Sequence, residues 1–76
     1  MLIHVRRRHI EKGKRCSPRR CPIALAFNEA MGRPCGVTRQ YIADRAGHLQ
    51  LPRIARRFIA RFDAGKPVKP FAFVLK

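Results

Sequence analysis

The chain has 76 residues and a formal net charge of +14, from 18 Lys and Arg against 4 Asp and Glu. At this length only about 60% of the unfolded surface can be buried, which leaves room for one small core and excludes a multidomain arrangement. A hydrophobic content of 46% excludes a disordered tail, and no apolar run approaches the roughly 18 residues of a membrane span.

Leu2 to Arg6 alternates, with Ile3 and Val5 on one side, and predicts a short strand. Its apolar start runs straight into Arg6-Arg7-Arg8, the reverse of the charged-then-apolar order of a secretory leader, so a cytoplasmic chain with no membrane partner is expected. His9 to Arg20 is polar and basic, contains Gly13 and Ser17-Pro18, and is expected to hold at most one helical turn. Cys21 to Gly32 is the clearest helix. Pro22 suits its first position, where the missing N–H is no loss, and Gly32 followed by Pro34 suits its stop. Ile23, Phe27, Ala30 and Met31 share its core face.

From Cys35 to Leu51 the period changes to two. Val37 to Ile42 is expected as one strand, Asp44-Arg45-Ala46-Gly47 as a turn, and His48 to Leu51 as the returning strand of a hairpin. A second helix starts at Leu51-Pro52 and ends at Gly65. Leu51, Ile54, Ala55, Phe58, Ile59 and Phe62 fall on one arc, and Arg53, Arg56, Arg57 and Arg61 on the other. Asp63 is expected to hold the Ala64-Gly65 turn. Phe71, Phe73 and Leu75 alternate with Ala72 and Val74 in a final strand. Phe71 and Phe73 could form a stacking platform of the kind found on single-stranded RNA-binding sheets, but that consensus is absent and both rings are assigned to the small core. The order strand, helix, strand, strand, helix, strand predicts one α+β domain over 1–76, with a basic strand and loop at 1–20 and the remaining elements at 21–76. The expected architecture is a two-layer sandwich with a largely antiparallel four-stranded sheet under two helices, ferredoxin-like in topology.

Three cysteines without a leader predict reduced thiols, with Cys21 and Cys35 buried or capping. The alternative is a zinc-stabilised module in which Cys16, Cys21 and Cys35 join His9 or His48 as a Cys3His set, although Cys16-x4-Cys21 is loose for a ligand pair. No cofactor and no enzyme activity are expected. Glu11, Glu29, Asp44 and Asp63 are dispersed, and the five glycines are isolated and form no phosphate loop.

The cations are concentrated. Arg6, Arg7, Arg8, Lys12, Lys14, Arg15, Arg19 and Arg20 stand against Glu11 alone in the first 20 residues, and Arg53, Arg56, Arg57 and Arg61 line the second helix. The arginine fork binds two oxygens of a phosphate or carboxylate at once. So large a charge on so small a surface implies an anionic partner. Helix-turn-helix spacing is missing, so sequence-specific duplex reading is not indicated.

Cys21 to Phe27 reads CPIALAF, and Ala55 to Phe73 reads ARRFIARFDAGKPVKPFAF. Over roughly the last three-quarters of the chain, these motifs resemble a group of small proteins of phages, prophages and other mobile elements, mostly without an assigned activity. Those proteins have a Cys-Pro-led helix, a hairpin, a helix ending in FDAG and a Pro-Phe strand. The resemblance implies the fold and a bacterial-host setting and brings no catalytic residues. The arginine-rich N-terminal third and second helix depart from the group. The leading expectation is therefore an anti-CRISPR-type inhibitor that docks by its arginines on an acidic protein surface or nucleoprotein complex of the host. Direct, sequence-independent binding of DNA or RNA is the alternative.

Overall fold

Eight elements follow one another along residues 1–75, the part of the chain described by the structure, a computed structural model. They are β1 (Leu2–Val5), α1 (Arg7–Lys12), α2 (Pro22–Met31), β2 (Gly36–Val37), β3 (Tyr41–Asp44), β4 (Gly47–Gln50), α3 (Arg53–Asp63) and β5 (Phe71–Val74). The α+β class and the antiparallel pairing agree with the sequence. The sheet does not: the strands divide into a two-stranded sheet, β1 with β5, and a three-stranded meander, β2-β3-β4, in place of one four-stranded sheet.

Two features account for the division, one long-range and one local. The outer strands pair with each other, Leu2 opposite Val74 and Val5 opposite Phe71. Backbone bonds between Met1 and Leu75, at 3.0 and 2.8 Å, continue the ladder beyond them. In the middle of the chain the expected strand from Val37 to Ile42 is broken at Thr38. Its Oγ1 accepts from the N–H of Gln40 at 3.2 Å and of Tyr41 at 3.0 Å, a side-chain closed turn that competes with the ladder. The next turn forms where the sequence places it. Asp44 Oδ1 accepts from Ala46 N–H at 2.9 Å, and Gly47 takes φ 125°, a left-handed value that glycine adopts at little cost.

The helices begin and end for chemical reasons. Cys21 caps α2, its Sγ accepting from Ala24 N–H at 3.4 Å, and Gly32 at φ 70° ends it with its N–H on Asn28 O. Between β1 and α2, where at most one turn was expected, the six residues of α1 are helical. His9 supplies the missing signal. Its Nδ1 accepts from the Arg6 N–H at 2.9 Å, as the Glu of a capping box does, and its ring is buried against α2, where Nε2 lies 2.9 Å from Glu29.

Helix α2 lies against both β1 and β2 and so joins the two sheets, with α1 packed on it. Ile3 and Val5 from β1, Ile23 and Phe27 from α2, Ile42 from β3, Phe58 and Ile59 from α3, and Phe73 and Leu75 form one apolar cluster. Two residues assigned to core faces lie outside it: Ala30 is exposed, and Ile54 is 53% exposed.

Candidate functional site

The acids show which cations are held inside the fold. Glu29 takes Arg8 and His9, and Arg33 Nε donates to Asp44 Oδ2 at 2.7 Å. Loss of water contact raises the Glu29 pKa, but the hydrogen bond and charge of Arg8 with the help of His9 outweigh it, so the carboxyl sits below its ordinary value. Asp44 is lowered chiefly by its bond from Arg33. Asp63 does not hold the Ala64-Gly65 turn. Its Oδ1 accepts from the Cys16 N–H at 2.9 Å and ties the basic loop to the end of α3. There Arg15 lies over Gly65 (φ 76°), where an added Cβ would stand 2.9 Å from Arg15 Nη1.

Five of the other cations, Arg6, Arg7, Arg57, Arg61 and Lys69, gather around one residue, Phe71. On one side is an open groove of about 400 Å³ between α3 and the segment leading into β5, lined by Ile54, Phe58, Val68 and Phe71 and rimmed by Arg57, Arg61 and Lys69. Arg61 Nη2 donates to Pro67 O at 3.1 Å, which holds the segment against the helix. On the other side is a cleft of about 380 Å³ with His4, Arg6 and Arg7, again walled by Phe71. The pairing of Val5 with Phe71 makes this possible, because it delivers the residues after β1 to the start of β5. No Asp or Glu lines either hollow.

Phe71 itself departs from the sequence expectation. Phe73 is buried in the core as expected, whereas Phe71 is only half-buried. Its ring packs against those of Phe58, at 4.7 Å, and Phe73, at 5.5 Å.

The sequence-selected cations thus separate into groups. Arg6, Arg7, Arg57 and Arg61 line the surface around Phe71, and Arg53 and Arg56 are exposed elsewhere on α3. Arg8 is paired with Glu29, and Arg15 is exposed beside Gly65 just after α3. Lys12, Lys14 and Arg20 are exposed, and Arg19 lines a different cleft, beside Asp44 and Arg45. Lys69, which the sequence did not single out, joins the site because the segment before β5 folds back on α3.

The alternative metal set is not assembled. Among the described residues no three His, Cys, Asp or Glu side chains gather as a metal site. His9 is engaged by Arg6 and Glu29, and His48 lies on the exposed strand β4 with its ring 5.1 Å from Tyr41. Burial pushes the Cys35 thiol up to about 11 and raises Cys21 as well, so both stay protonated at neutral pH, unsuited to nucleophilic attack. No helix among the described residues is long and apolar enough to cross a membrane. In comparisons with known proteins, the chain matches no family model, and neither curated proteins nor solved structures yield a significant relative.

Proposed function

We propose that this chain is a binding protein without catalytic chemistry that engages nucleic acid through the cationic surface around Phe71. A phage or prophage setting is what the resemblance carried by the CPIALAF and FDAGKPVKPF motifs implies. The observation that carries the proposal is the convergence of Arg6 and Arg7 with Arg57, Arg61 and Lys69 around a surface lined by no Asp or Glu side chain among the described residues. Arginines gathered in this way meet phosphates two oxygens at a time and release counterions as they do so.

A salt titration of binding to a labelled single-stranded oligonucleotide tests it. The observed affinity is expected to fall linearly on a log–log plot, with a slope of about 0.7 per phosphate contact. Arg53→Glu/Arg57→Glu/Arg61→Glu and Arg6→Glu/Arg7→Glu should each weaken binding and flatten that slope. No binding by the wild-type chain at low salt, or equal binding by all three proteins, overturns the proposal.

The inhibitor reading uses the same arginines against an acidic protein surface, and its support is the sequence resemblance. Recovery of a defined host complex that persists after nuclease treatment, by a chain that binds no oligonucleotide, would put it in first place.

A further inference from the structure

Deepening the nucleic-acid reading, on which it rests, we propose that Phe71 is a stacking platform for one base of a single strand, with a phosphate site on either side of it. The chain would then prefer unpaired strands to duplex.

Three observations combine. The Phe71 ring is only half-buried although it shares a strand face with the buried Phe73, so it shows an aromatic surface to solvent at the start of β5. Its ring packs against those of Phe58 and Phe73, with centroids 4.7 and 5.5 Å away, so little side-chain freedom is left to lose on binding. It also forms the shared wall of two hollows with cations of their own, Arg57, Arg61 and Lys69 on one side and Arg6 and Arg7 on the other.

A planar apolar face between two anion sites matches the repeat of a single strand, in which phosphates flank every base. Stacking on an aromatic side chain is tolerant of base identity because every base has a π-face. A duplex presents the same phosphates with its base faces covered. An acidic peptide presents carboxylates, and nothing in the site selects a planar group from it.

The test compares oligothymidylate with an abasic strand of the same length and charge. The wild-type chain should bind oligothymidylate roughly 5- to 150-fold more tightly, the range for one stacked base. Phe71→Leu, which keeps apolar packing against Phe58, should bring oligothymidylate down to the abasic level. Phe71→Trp should keep the preference. Since the sequence has no other Trp, its fluorescence should be quenched by oligothymidylate and not by the abasic strand. That signal reads the site even where Phe71→Leu fails to fold.

Equal, salt-sensitive binding of both strands by the wild-type chain overturns the platform and leaves charge-based binding of nucleic acid standing. Failure to bind either strand removes both. Competition by polyglutamate as effective as that by oligothymidylate also overturns the platform, because carboxylates alone would then fill the site.

Discussion

The α1–α2 side and the α3–β5 side of this molecule are both rich in arginine and use it differently. On the first, Arg8 and His9 meet Glu29, and Arg33, just beyond α2, meets Asp44. On the second, Arg6, Arg7, Arg57 and Lys69 line hollows with no Asp or Glu side chain among the described residues. With four acids in the chain, their placement decides which cations fasten elements together and which are left facing outward. The paired side contributes to the fold. The unpaired side adds self-repulsion, which salt screens and a bound anion would relieve.

The sharpest separation within the α3–β5 side is between the underside of α3 and its outer face. Phe58 is 6% exposed, with its ring tilted against that of Phe71 at 4.7 Å. Phe58→Ala should therefore cost about 3–5 kcal/mol, most of the stability available to a domain of this size. Denaturant unfolding measures it, and a normal midpoint for the variant would show that α3 does not anchor the aromatic cluster.

A smaller effect tests the paired side. His9 accepts the Arg6 N–H and is buried against α2. His9→Ala should cost roughly 1–3 kcal/mol by leaving that donor without a partner and loosening α1. The ion pairs also set an acid limb. Glu29 and Asp44 both have folded pKa values below their ordinary ones, so their contribution is complete above the ordinary carboxylate value and is lost as pH falls through the lowered one. Melting temperature should drop over that acidic window, and Glu29→Gln/Asp44→Asn should flatten the drop. An unchanged acid limb in this variant would mean that the pairs do not fasten the paired side.

Much of the scaffold was legible because its signals are local. Pro22 and Gly32 bracket α2, Gly65 closes the turn after α3, and the alternation of Phe71, Phe73 and Leu75 marks β5. What escaped depends on partners distant in sequence. Helix α1 relies on Glu29, and the split of the sheet depends on β1 choosing β5. Thr38 looked like a strand residue by its β-branching, yet its hydroxyl closes a turn. The site shows the same limit. Composition picked out its arginines, but two clusters some fifty residues apart in sequence looked independent. Only the Val5–Phe71 pairing brings them together. Phe71 and Ile54 were assigned to the core by periodicity, which cannot tell a face that is covered along its whole length from one left open at its end.

The smallest expected effects divide the two regions most cleanly. Arg57 is exposed on the unpaired side, so Arg57→Ala should leave stability within about 0.5 kcal/mol of wild type. Its effect belongs to binding: the log–log salt slope for a single strand should fall by about 0.7, one phosphate contact. Arg8→Ala is the counterpart. Arg8 is as cationic as Arg57, but its guanidinium is engaged by Glu29, so removal should leave the salt slope where it was. Its stability change should also be small, because the pair is open to solvent. Equal losses of slope in the two variants would mean that net charge alone governs binding and that the convergence around Phe71 adds nothing. A loss confined to Arg57→Ala would locate the nucleic-acid surface on the side of the molecule where the fold leaves its arginines unpaired.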